Sequence, residues 1–130
     1  MRKTWDNRAP TVQLLGRWQP WHDGHLELFK RALAKTGQVC IMVRDVKGVG
    51  DNPFDFHDVR DRIIRELGRQ GYMHGAEYVI QQVPNIVNIT YGRDVGYAIE
   101  RENLDPAVEG ISATGIREEM RREGLLPSDH

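Results

Sequence analysis

Residues 16–28 read GRWQPWHDGHLEL, and the fold follows from how this stretch joins its neighbours. The apolar run Thr11 to Leu15 precedes it and reads as a strand that Gly16 punctuates. After it, Leu26, Phe29 and Leu33 recur at helical spacing while Glu27, Lys30, Arg31 and Lys35 fall outside that stripe. This pattern predicts an amphipathic helix that starts close to His22 or Asp23 and ends near Thr36, with Gly37 as its C-cap. Val39 to Val43 is a short continuous apolar run, as expected of a parallel strand covered on both faces. Residues 11–43 therefore make a strand, helix, strand unit with a right-handed crossover. The expected class is α/β, with an open, mainly parallel sheet flanked by helices.

Working outward, Arg44 to Asp55 is a long loop holding Lys47, Gly48, Gly50 and Pro53, and loops of that length in a compact domain tend to be functional. Val59, Ile63, Ile64 and Leu67 predict a second amphipathic helix, capped by Asp55 and followed by Gly68. Glu77 to Val83 reads as a third strand closed by Pro84, and the alternation in Ile86 to Tyr91 predicts a fourth. A last helix, Ile116 to Glu123, is expected behind Ser112 or Thr114 as its cap. Arg117 sits in its first turn, where a cation opposes the helix dipole and so calls for a reason other than helix stability.

The totals exclude several classes. A chain of 130 residues is expected to fold as a single domain spanning 1–130, and 39% apolar against 28% charged residues is an ordinary globular balance. With 18 Lys plus Arg against 19 Asp plus Glu, the net charge of −1 provides no broad basic face for nucleic acid, so an RNA-binding module is disfavoured. No stretch is apolar enough to span a bilayer, and Met1 to Pro10 carries Arg2, Lys3 and Arg8 with no apolar segment behind them, unlike a signal peptide. The one cysteine, Cys40, sits inside an apolar run as a packed thiol, which fits a reducing, cytoplasmic setting.

The chemistry concentrates at His22 and His25. At i and i+3 of a helix start they share a face beside free backbone amides, where a polyphosphate would be held. Gly24 between them leaves no side chain in the way, and Gly16 would let the chain approach a ligand closely. A zinc site is disfavoured, because His22, Asp23 and His25 lack a clear fourth ligand. Trp18 and Trp21 offer either a stacking platform or packing, with packing the safer expectation.

Residues 16–25 resemble the HxGH signature of the nucleotidyltransferase superfamily, and ISATGIR at Ile111 to Arg117 is similar to its second signature, ISxTxxR. The resemblance spans roughly Val12 to Met120 and implies the Rossmann-like fold of the HIGH-superfamily nucleotidyltransferases. It also implies the transfer of a nucleoside monophosphate from a nucleoside triphosphate to a phosphorylated small molecule, with pyrophosphate released. His22, His25, Lys47 and Arg117 would then be catalytic, and Gly16, Arg17, Trp18, Gly24, Ser112, Ala113 and Thr114 would bind the nucleotide. Trp21, Arg44, Arg60 and Arg93 are candidates for the acceptor side. Magnesium would come bound mainly through the triphosphate, with no dedicated protein metal site, and a homodimer is implied. GRWQPWHDGH looks more like nicotinamide mononucleotide adenylyltransferases; EGISATGIR and the short length look more like glycerol-3-phosphate cytidylyltransferases, which favours CMP slightly over AMP. The competing expectation is a nucleotide-binding or regulatory protein that keeps the phosphate cradle without turnover.

Overall fold

A computed structural model describes residues 4–93 and 96–102. Five elements alternate in the order β1 (Val12–Gly16), α1 (Asp23–Thr36), β2 (Val39–Arg44), α2 (Phe56–Arg69) and β3 (Tyr78–Val83). The three strands form one parallel sheet in the order β1-β2-β3, in a register that sets Leu14 beside Ile41 and Ile41 beside Ile80. The strand, helix, strand unit expected from residues 11–43 is present, and it is followed by a second one.

With the strands in this order, two right-handed crossovers carry both helices to the same face of the sheet. The core agrees. Val39, Ile41 and Val43, alternate residues of β2, are buried in one cluster with Phe29 and Ala32 of α1 and Val59, Ile63 and Leu67 of α2. Cys40, Met42 and Arg44 on the opposite face are only partly buried. The expectation of a strand covered on both faces is therefore corrected for the described residues: a continuous apolar run does not reveal on which side its two flanking helices will pack.

Local signals account for the helix ends. At the end of α1, Gly37 takes the left-handed conformation (φ 89°) and its amide donates to the Leu33 carbonyl at 2.8 Å. Asp55 caps α2, its carboxylate accepting from the Asp58 amide at 2.9 Å. That helix runs through Gly68 instead of stopping before it. The left-handed residue is Gly71 (φ 89°), and the chain turns there, with the Tyr72 amide donating back to the Leu67 carbonyl at 3.0 Å.

The fourth strand expected at Ile86 to Tyr91 is absent, and no residue from 84 to 91 belongs to a strand. Pro84 cannot donate to a ladder, and the Ile86 amide turns back to the Pro84 carbonyl at 2.7 Å. The alternating side chains find no sheet to face, leaving Val87 80% and Ile89 55% exposed. The predicted last helix, with Ser112, Ala113, Thr114 and Arg117, lies outside the described residues. Residues 100 and 102 return to α1, where Lys35 pairs with both Glu100 and Glu102.

Candidate functional site

The loop from Gly16 to His22 leaves the carboxyl edge of β1, the edge where parallel α/β sheets take ligands. Its shape is set by two tryptophans turned inward. Trp18 and Trp21 are 5% and 1% exposed, and their rings lie 5.2 Å apart. Trp18 has a left-handed backbone (φ 53°) and donates its indole N–H to the Met42 carbonyl of β2 at 3.0 Å. A Cβ on residue 16 would come within 2.7 Å of the Trp18 ring, so the space beside Gly16 is filled by the protein's own indole. That is a different reason for the glycine from close approach of a ligand. The Gln19–Pro20 peptide is cis.

Two side chains fasten this loop from outside. Gln19, 3% exposed, pairs its amide with the backbone of Phe54, its Nε2 donating to the carbonyl and its Oε1 accepting from the N–H, both at 2.9 Å. This ties the histidine loop to the segment that leads into α2. Arg62 of α2 donates from Nε to the Trp21 carbonyl at 2.9 Å, one residue before the first histidine.

His22 is the N-cap of α1. Its Nδ1 accepts from the Gly24 amide at 3.0 Å, and its own backbone N–H donates to Nδ1 of His25 at 3.1 Å. The two histidines thus form a capping box in which imidazoles replace the usual hydroxyl and carboxylate. The rings stack with centroids 3.7 Å apart and planes 21° apart. His25 also meets the Trp18 ring edge-on at 4.8 Å.

This geometry fixes the chemistry of both rings. A nitrogen that accepts from an amide carries no proton, so each imidazole is the neutral tautomer with its hydrogen on Nε2. Burial pushes the His25 pKa down to about 3, helped by the neighbouring His22. Burial also lowers His22, with Arg62 acting in the same direction and Asp23 against it. At neutral pH the pair is two uncharged N–H donors. His22 is the one that lines an open cavity of about 380 Å³, together with Trp21, Asp23, Leu26, Arg62, Glu66 and Gln70.

The other expected residues are more scattered. Arg17 follows β1 and is exposed. Lys47 stands in the loop after β2, mostly exposed and 4.0 Å from the Asp55 carboxylate. Arg44 donates to Asn85 Oδ1 at 2.8 Å and lines a separate cavity of about 410 Å³ with Leu15 and residues 86–89. Arg60 lies against Asp61 at 3.4 Å, and its charge acts on His74 and Tyr78 rather than on the histidine pair. Arg93 is exposed. Gly16, Trp18, Trp21, His22, Gly24 and His25 are brought together, whereas Arg44, Lys47 and Arg60 are not gathered around the imidazoles.

Gln19 and Arg62 went unnoticed in the sequence. For Arg62 a signal existed: Val59, Ile63 and Leu67 mark the buried stripe of α2, and a residue at position 62 borders it. Among the described residues no group of three or more His, Cys, Asp or Glu side chains is placed to hold a metal ion. Comparison with family models and with curated proteins found no match to this chain.

Proposed function

We propose that this chain is a nucleotidyltransferase, moving CMP or AMP from a nucleoside triphosphate to a phosphorylated small molecule. In the reaction an acceptor phosphate oxygen attacks the α-phosphorus, the bond from that phosphorus to the bridging oxygen of the β-phosphate breaks, and pyrophosphate leaves. The nucleophile is already an anion, so no strong base is needed. What the reaction asks of a protein is positioning, and donors for the charge that grows on the leaving group.

The observation that carries the reading is the capping box of His22 and His25. Backbone amides occupy both Nδ1 atoms, which leaves two neutral Nε2–H donors at the carboxyl edge of a parallel sheet. Such donors stabilise developing charge, and burial, which lowers the pKa of both imidazoles, favours their neutral form. The sequence ISATGIR supports the same reading by resemblance, with Ser112, Thr114 and Arg117 holding the β- and γ-phosphates. Magnesium would arrive on the triphosphate, and the resemblance carries a homodimer with it.

The test is a pyrophosphate-release screen of the full chain with magnesium, each nucleoside triphosphate in turn, and a panel of phosphorylated acceptors. Release that requires both one triphosphate and one acceptor is the expected result. Binding of a triphosphate with no release under any pairing would replace the reading with that of a nucleotide-binding protein without turnover.

A further inference from the structure

Beside His22, the cavity between α1 and α2 contains a cation that the proposed chemistry has not yet used. Arg62 sits there partly buried, with Nε bound to the Trp21 carbonyl. None of its nitrogens is within ion-pair distance of a carboxylate among the described residues, although α2 is rich in such pairs. Arg60 has Asp61, and Arg65 and Arg69 both have Glu66. Two carboxylates do line the same cavity: Asp23, exposed on the first turn of α1, and Glu66, already engaged by its two arginines.

A half-buried guanidinium loses hydration, and the loss is ordinarily repaid by a carboxylate. Here only Nε is repaid, and by a neutral carbonyl. The terminal nitrogens keep four N–H donors, and Arg62 borders the cavity with His22, whose Nδ1 is occupied and whose hydrogen is on Nε2. A planar fork of guanidinium donors beside a neutral N–H donor matches the oxygens of a phosphate group, which accepts several hydrogen bonds and supplies the missing negative charge.

We propose that Arg62, with His22, forms a phosphate-binding subsite in the cavity between α1 and α2. The inference rests on the nucleotidyltransferase reading and deepens it by naming a residue of α2 that binds substrate, and that residue is Arg62 and not Arg60. Two sources share this chemistry, the polyphosphate of the nucleotide and the phosphate of the acceptor.

Calorimetric titration of the full chain tests it, with inorganic triphosphate and inorganic phosphate as separate probes. Expected for the probe that occupies the subsite is a Kd raised at least tenfold by Arg62→Gln, raised less by Arg62→Lys, and changed less than twofold by Arg60→Gln. Loss confined to triphosphate assigns the nucleotide as the source, and loss confined to inorganic phosphate assigns the acceptor. Wild-type binding that Arg62→Gln leaves unchanged, or absence of wild-type binding to either probe, overturns the subsite; the functional reading is decided separately by the pyrophosphate-release screen. Should Arg62→Gln fail to fold, the wild-type protein decides the matter by NMR. Titration of the probe must then shift the Arg62 Nε and His22 Nε2 resonances and spare those of Arg60, and unmoved Arg62 signals overturn the proposal.

Discussion

His25 illustrates how much a side chain's role depends on which of its atoms are already occupied. Its Nδ1 is held by the His22 amide and its ring is stacked on His22 and set edge-on against Trp18, so only Nε2–H is left to offer. Replacing His25 with alanine is expected to preserve the fold and cut turnover by about 10² or more, because a donor aimed at developing charge is removed; steady-state pyrophosphate release measures it. The same ring makes stability depend on pH. Its folded pKa, about 3, lies below the unfolded value of 6.5, so between those values the unfolded chain binds a proton that the native chain refuses. Its contribution is complete above pH 6.5 and is lost as pH falls toward 3, at up to ~1.4 kcal/mol per pH unit. Urea melts at pH 7.5, 5.5 and 4.5 should show this decline, and His25→Gln should flatten it. Gly16→Ala should cost about 1–3 kcal/mol in a urea melt, since the new Cβ meets a Trp18 ring that is held by Met42 and cannot swing away.

At the level of elements, the helices were legible because their signals are local. The i, i+3, i+4 recurrence of apolar residues and the caps His22, Gly37 and Asp55 act within a turn or two of the positions they govern. Gly68 and Gly71 show where such reading falls short. Both are glycines near the end of α2, yet Gly68 lies inside the helix with open space around its Cα, and Gly71 alone has a positive φ. Two substitutions should therefore act in opposite directions. Gly68→Ala is expected to stabilise by about 0.5–1 kcal/mol through lower backbone entropy in the unfolded chain. Gly71→Ala should destabilise by about 1 kcal/mol or more, because an L residue resists that φ. Paired thermal melts check both signs. The alternation in Ile86 to Tyr91 misled for a related reason: period-two patterning marks a strand only where an edge is present to receive it, and that is a property of the sheet rather than of the segment.

For the whole molecule, the proposed function has a consequence that needs no acceptor. A nucleoside triphosphate that binds only the folded chain should stabilise it by about 2.7 kcal/mol at 100 times its Kd. Thermal melts with magnesium and CTP, ATP, GTP or UTP in turn should single out one base, with CTP or ATP the expected one; equal shifts from all four would mean that only the phosphates are read. The sequence by itself determined the alternation of strand and helix, the ends of α1, the cap of α2 and the nearness of the two histidines, because each depends on interactions among residues a few positions apart. Tertiary structure alone decided that both helices share one face of the sheet and that the Trp18 indole fills the space beside Gly16. It alone also decided that Gln19 and Arg62 fasten the histidine loop, and that Arg60 stands away from it. These outcomes rest on contacts between residues as distant as Gln19 and Phe54, or Trp21 and Arg62, and no periodicity within a segment encodes such a meeting. The stretch GRWQPWHDGHLEL carried the site's chemistry in its own residues, but the direction in which its imidazoles donate was settled by the backbone amides that the fold brought to them.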